Sequence, residues 1–340
     1  MHVISAVTLK SRIYGIIYGQ LIGDALGGRY EFSDRDIIIN NVKEDIDNEG
    51  ILPILGGGPH RLHQGQVTDD SELALGLLYT IIANGKYDID SVVKKYIKWY
   101  RSEPFDVGIT TRRAFRRANN HQDVIDNSCM QNKNSLSNGC LMRISPLGAF
   151  GYSISEKRLL EYAKLDCELT NPNPVAIDAT GVYVVAIKSL LENGSKFMAY
   201  EKALKTAKTK TIRQCLKDAD ITPDKIRLSD SDQTVSVASQ FMGYLCIALQ
   251  NTFYELLHGE DFYESICNIV LRGGDTDTNA CIAGALLGAY YGIDDIPSKW
   301  KIVVSRCNNP RIGSYPEVDQ TNINSLCELL FQMIKKDGDL

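Results

Sequence analysis

Apolar residues recur at helical spacing along most of this chain. Val92, Val93, Tyr96, Ile97 and Tyr100 form one stripe in steps of three and four, and Phe262, Ile266 and Ile269 form another. Val235, Ala238, Met242, Leu245 and Leu249 extend the pattern over a longer window, and Leu326, Leu329, Leu330 and Met333 repeat it near the C-terminus. Each predicts an amphipathic helix. The 10 prolines fall between long proline-free stretches at 60–103, 175–222 and 224–296, where helices can run unbroken. Gly15, Gly19, Gly23 and Gly27 recur every fourth residue, which lays a face without side chains along one helix and predicts a close partner helix there. Strand signals are weak: Ile37–Ile39 and Val182–Val185 are short β-branched runs without hairpin turns beside them. The expected fold is therefore all-α, a compact multi-helix bundle. Asn and Ser interrupt the apolar period over 119–138, which reads as a long surface loop. With no polar linker flanking it, residues 1–340 are expected to form one domain with its core at about 10–335.

Composition agrees with a globular chain: 340 residues, 44% hydrophobic, 23% charged and a net charge of −5. That balance gives no basis for general nucleic-acid binding or membrane association. The first ten residues lack the signature of a secretory signal, so a cytoplasmic protein, expected to be a monomer, is the default. Nine single cysteines without a C-x-x-C pair are expected to be reduced and mostly buried. His60 and His63 have no thiolate pattern beside them and do not suggest structural zinc. Lys205, Lys208, Lys210 and Arg213 read as a solvated basic face.

Two acidic segments carry the chemistry. Thr68-Asp69-Asp70-Ser71-Glu72 and Gly273-Gly274-Asp275-Thr276-Asp277-Thr278 each run straight into an apolar helix. Either alone reads as a helix cap, and Asp69 with Glu72 has capping-box spacing. Together they are harder to explain that way, because neither Leu62–Gly85 nor Gly273–Ser298 contains a Lys or Arg. If the two helix starts converge to ~5 Å, each carboxylate pair repels by about 3 kcal/mol, whereas a helix N-terminus returns only about 0.3–1 kcal/mol per acid. A cation resolves the conflict, and an all-oxygen donor set suits Mg²⁺ or Mn²⁺. An EF-hand starting at Asp275 fails, since Ala280 and Leu286 stand where Gly and Glu are required. A D-x-D-x-T phosphohydrolase motif meets Asn279 in place of Thr. Gly56-Gly57-Gly58 leads into Pro59-His60 and reads as a flexible loop, not a P-loop.

Five segments in order resemble the ADP-ribosylglycohydrolases, the family that includes the dinitrogenase reductase-activating glycohydrolases. They are Gly23-Asp24-Ala25-Leu26-Gly27 followed by Glu31, then Thr68-Asp69-Asp70, then Asp106-Val107-Gly108-Ile109-Thr110-Thr111, then Ser137–Pro146, and finally Gly273–Thr278. The resemblance implies an orthogonal helical bundle with two Mg²⁺ or Mn²⁺ in a cleft that hydrolyses the glycosidic bond between ADP-ribose and a protein residue or small molecule. It also implies Thr68, Asp69, Asp70, Asp275, Asp277 and Thr278 as metal ligands, with Asp277 bridging. Glu31, Asp70 and Asp277 would serve the reaction. Asp106, Gly108, Asn138, Gly139 and Asn171 would contact substrate. Arg112, Arg113, Arg116 and Arg117 are either pyrophosphate partners or a solvated face. Thr170-Asn171 departs from the Thr-His common in the family, and Cys140 from the usual Ser or Ala. A non-catalytic ADP-ribose-binding relative and a metal-dependent phosphoester hydrolase are the competing readings.

Overall fold

The glycine stripe sets the centre of the molecule. In the computed structural model, which describes residues 7–48, 50–229 and 231–338, helix Leu9–Gly27 lies antiparallel against helix Thr276–Tyr291. A β-carbon at Gly15, Gly19, Gly23 or Gly27 would overlap the backbone at Gly288, Gly284, Ala280 or Thr276 in turn. The two backbones touch with almost no side chain between them. Both helices are buried on nearly all sides, which is why they lack a clear polar face. Helices Asp69–Asn84, Ser145–Phe150 and Pro174–Asn193 pack against both members of the pair; Leu245–His258 packs on the second and Ile323–Gly338 on the first. One connected apolar cluster runs through them.

The chain is all-α, as its periodicity predicts. The stripes at 92–100, 262–269 and 326–333 lie in helices Ile89–Arg101, Phe262–Leu271 and Ile323–Gly338. Both β-branched runs are helical, in Arg35–Asp45 and Pro174–Asn193. The latter is long and apolar enough to cross a membrane, but 83% of its most apolar window is buried inside the protein. Seven of the nine free cysteines are buried. The basic residues Lys205, Lys208, Lys210 and Arg213 are exposed.

Two expectations are corrected. Residues 119–138 are not a continuous loop, because helix His121–Gln131 occupies their middle. Asn120 starts it by accepting the Asp123 N–H at 3.0 Å. The helix buries Val124 and Ser128, and the Ser128 hydroxyl donates to the Glu168 carbonyl at 3.0 Å. A serine thus takes a core position, and the apolar period disappears from the sequence. The stripe from Val235 to Leu249 is helical only from Leu245. Val235 instead pairs with Ile226 in a two-stranded antiparallel ribbon, Ile226–Arg227 with Thr234–Val235. The intervening chain runs through turns at 237–243, and an isolated bridge between Ser137 and Tyr244 anchors it just before the helix start.

Candidate active site

The last turn of helix Leu9–Gly27 carries Asp24, which has no exposed surface. Its carboxylate accepts the backbone N–H of Thr68 at 3.0 Å and of Ser71 at 3.0 Å. These are donors that the start of helix Asp69–Asn84 leaves unpaired, so a carboxylate from another helix caps it. Neither Thr68 nor Asp275 caps its own helix with its side chain. Glu72 does not complete a capping box; it accepts from Arg311 Nε at 2.9 Å and Trp99 Nε1 at 2.6 Å. The simple capping explanation of both acidic segments therefore fails, and Asp69 and Asp70 remain available.

The second segment is shaped by Gly273 and Gly274, at φ +78° and +80°. A β-carbon at Gly274 would come within 2.7 Å of the Val237 carbonyl, so neither the conformation nor the space suits another residue. Gly274 accepts the Phe32 N–H at 2.8 Å and donates to the Ser33 carbonyl at 3.2 Å. This bridge brings Glu31 to the start of helix Thr276–Tyr291. Thr276 Oγ1 donates to the Gly27 carbonyl at 2.7 Å and fixes that start against the end of the first helix.

Carboxylate oxygens of Glu31, Asp275 and Asp277 consequently lie within 4.8 Å of one another. Asp69, Asp70, Asp106 and Thr278 line the same cleft, whose volume is about 500 Å³. On the facing wall, the Gly108 N–H donates to Asp69 Oδ2 at 3.1 Å, and Asn138 Nδ2 donates to Asp275 Oδ2 at 2.7 Å. Gly139 lies beside Asn138.

Burial and crowding raise every acid of the cluster that is deeply enclosed. Burial pushes Glu31 up to about 7, with Asp275 and Asp106 adding to the effect and His60 opposing it. Asp24 is pushed up to about 6 by burial, against its four hydrogen bonds. Asp69, Asp70 and Asp277 lie well above the usual carboxylate range through burial and then through each other and their acidic neighbours. Asp275 is raised by burial and lowered again by Asn138. Asp70 Oδ1 is buried without a hydrogen-bond partner, and Glu31 Oε2 has only the His60 Nε2 contact at 3.0 Å, which is poorly aligned for a hydrogen bond. Poorly satisfied carboxylate oxygens in an all-oxygen donor set fit a hard divalent cation.

These shifts give a stability profile for protein stripped of cations. An acid whose folded pKa lies above its unfolded value stabilises the fold at low pH, and that contribution is lost as pH rises through the folded value. For Glu31 and Asp24 the loss runs from the ordinary 4.5 and 3.8 to about 7 and 6. In EDTA the melting temperature is expected to fall between about pH 4 and 7.5, with about 3 kcal/mol at stake for each group over the whole window. Added Mg²⁺ should flatten the profile; differential scanning fluorimetry across pH, with identical curves in EDTA and Mg²⁺, would count against the cluster as a cation site.

The structure brings Glu31, Asp69, Asp70, Asp106, Gly108, Asn138, Gly139, Asp275, Asp277 and Thr278 to one cleft. Two expected site residues do not themselves line this cleft. Thr68 has no exposed surface, and its hydroxyl lies between Asp24 Oδ1 at 2.9 Å and Asp70 Oδ2 at 3.0 Å, so it supports the acids from behind. Asn171 is also fully buried, with its amide turned toward Ser137 and away from substrate space, because the helix-to-helix turn at 169–173 lies under the wall. Of the arginines, Arg113 lines the cleft, whereas Arg116 and Arg117 line a separate surface depression. Cys140 is buried.

Sequence reasoning missed two residues. Asp24 was named only within the segment Gly23–Gly27, with no role of its own. His60 arrives through Gly56-Gly57-Gly58, all at positive φ, which fold the chain back over Gly28 and Arg29. Its Nε2 lies 3.0 Å from Glu31 Oε2 and 3.6 Å from Asp106 Oδ2, with Phe32 and Phe105 beside the ring. Contact with Glu31 raises the His60 pKa above its ordinary value. A three-glycine run ending in Pro-His was the signal available.

The family profile described as ADP-ribosylglycohydrolase matches residues 5–339. A protein of Acanthamoeba polyphaga mimivirus that carries the provisional name of an ADP-ribosyl glycohydrolase is 32% identical over 91% of this chain and 95% of its own. The ADP-ribosyl-[dinitrogen reductase] glycohydrolase of Rhodospirillum rubrum is 28% identical over 86% of this chain and 90% of its own. A solved structure titled ADP-ribosylglycohydrolase-related protein complex superimposes with a TM-score of 0.70 at 25% identity, covering 96% of this chain and 98% of that one.

Proposed function

The chain belongs to the ADP-ribosylglycohydrolase family, and on that footing we propose that it is a divalent-cation-dependent hydrolase of the glycosidic bond joining ADP-ribose to a protein residue or small molecule. The observation that supports this reading best is the meeting of Glu31, Asp275 and Asp277 with Asp69 and Asp70 in a cleft of about 500 Å³, a size suited to a small-molecule group.

Asp69, Asp70, Asp275 and Asp277, with the Thr278 hydroxyl and Glu31 beside them, would hold two Mg²⁺ or Mn²⁺. When bound, such ions supply Lewis-acid polarisation and anchor points for vicinal ribose hydroxyls. The chain's own groups supply the rest. Glu31, buried and within 3.0 Å of His60, is placed to take a proton from water as positive charge develops on the sugar. Asp106, Gly108, Asn138 and Gly139 shape the wall against which the ADP-ribosyl group is oriented. Among the described residues, Arg113 is the one basic residue lining this otherwise acidic cleft, which suits it to the diphosphate.

A panel of ADP-ribosyl linkages, assayed for ADP-ribose release in EDTA and after Mg²⁺ or Mn²⁺ add-back, tests the proposal. Turnover of at least one linkage only with cation is expected, and Arg113→Ala should raise its KM about tenfold. Equal release in EDTA, or release of inorganic phosphate from a generic ester in place of ADP-ribose, would refute it.

A further inference from the structure

Behind the wall formed by Ser137, Asn138 and Gly139 runs a seam of polar side chains that never reaches the cleft. Arg143, without exposed surface, donates from Nη1 to the Gly139 carbonyl at 2.8 Å and to Thr170 Oγ1 at 2.9 Å. Its Nε and Nη2 bond the Asp166 carboxylate and carbonyl at 2.9 and 2.7 Å. Thr170 Oγ1 donates onward to Asn171 Oδ1 at 2.7 Å. Asn171 Nδ2 then donates to the Ser137 carbonyl and hydroxyl, both at 3.1 Å. The carbonyls on either side of Asn138 are thus each held from behind by one continuous relay. In front, the Asn138 amide reaches Asp275, and the Ser137 hydroxyl lies 2.8 Å from Thr110 Oγ1 on the opposite side of the wall.

Stability alone is a poor account of this arrangement. A fully buried Arg–carboxylate pair is often no more stabilising than apolar residues of the same volume, and every member of the relay becomes costly if its partner is lost. What the relay does provide is direction: its two end bonds, Arg143 Nη1 to the Gly139 carbonyl and Asn171 Nδ2 to the Ser137 carbonyl, fix the orientation of those carbonyls, and so the aim of the Asn138 side chain carried between them.

We propose that Thr170 and Asn171, backed by Arg143, are positioning residues that fix the Ser137–Gly139 wall and thereby set the affinity for the ADP-ribosyl group without touching it. The inference rests on the reading of the cleft given above. It assigns Asn171 a role in shaping the wall in place of direct substrate contact.

Thr170→Val removes the hydroxyl at nearly constant volume, and Thr170→Ser restores it. In Thr170→Val, KM for the hydrolysed substrate and Kd for ADP-ribose by calorimetry should both rise about tenfold, with kcat within about threefold of wild type. Thr170→Ser should stay within about twofold of wild type on all three. A purely structural residue would lower the melting temperature and the active fraction while leaving KM and Kd unmoved, and that result overturns the proposal. If Thr170→Val does not fold, Asn171→Asp decides by the same readouts, since it keeps the acceptor for Thr170 and loses the donor to Ser137: a raised Kd supports the proposal and an unchanged one overturns it. Wild-type protein that binds no ADP-ribose would overturn the functional reading and this proposal together, whereas wild-type binding with an unmoved variant overturns this proposal alone.

Discussion

Asp277→Asn should abolish most turnover and at the same time make cation-free protein more stable. Asp277 Oδ1 accepts the Thr278 N–H at 2.9 Å, a bond that an asparagine oxygen retains. The carboxylate is almost fully buried and stands against Glu31, Asp70, Asp275 and Asp106, each of which raises its pKa. Replacing one charge with an amide removes repulsion worth about 3 kcal/mol for a pair at ~5 Å. In EDTA at pH 7.5 the melting temperature is therefore expected to rise by several degrees, at roughly 2–4 °C per kcal/mol. Catalysis moves the other way. On the proposed function, Asp277 would be one of the groups that hold the cations, and its loss would remove ~4 kcal/mol of transition-state stabilisation, a fall on the order of a thousandfold in kcat. Scanning fluorimetry and an ADP-ribose release assay read the two effects. An active Asp277→Asn, or one destabilised in EDTA, would show that this carboxylate serves the fold and not a cation.

The second large effect lies in the central helix pair. Gly23→Ala drives a β-carbon into the Ala280 carbonyl, where only backbone atoms are present to yield. Overpacking between two buried backbones should cost about 4 kcal/mol or more, a drop of roughly 8–16 °C in melting temperature. The site is affected too, because the same pair of helices carries Asp24, which caps the Asp69 helix, and Thr276, which is tied to Gly27. Activity per folded molecule should fall along with stability. Gly313→Ala is the control, since nothing lies within 4 Å of an added β-carbon there, and it should behave as wild type. A Gly23→Ala protein of unchanged melting temperature would mean that the helices are further apart than described.

These two predictions draw on what the sequence made legible. The fourfold glycine spacing announced a backbone contact, because no other residue leaves room for one. The acidic segments stood out because they held charge with no local base to neutralise it. Less visible were features whose cause lies far along the chain. Ser128 occupies a core position through a hydrogen bond to the Glu168 carbonyl, so helix His121–Gln131 lacked its apolar period. Asp24 stood in a family-like segment without a role of its own, because the backbone donors it accepts, from Thr68 and Ser71, lie more than forty residues along the chain. His60 depends on three consecutive glycines at positive φ, whose path no periodicity describes. Asn171 was placed in the right neighbourhood and on the wrong side of the wall, a distinction of one side chain's direction that spacing does not encode.

On the proposed function, two acidic segments about two hundred residues apart form one site for divalent cations. Calorimetric titration of Mn²⁺ into EDTA-stripped protein tests it most directly, with Asp70→Asn from the first segment and Asp277→Asn from the second. Two ions per chain in the wild type, with at least one lost in each variant, is the predicted result. Undiminished binding in either variant would contradict the account.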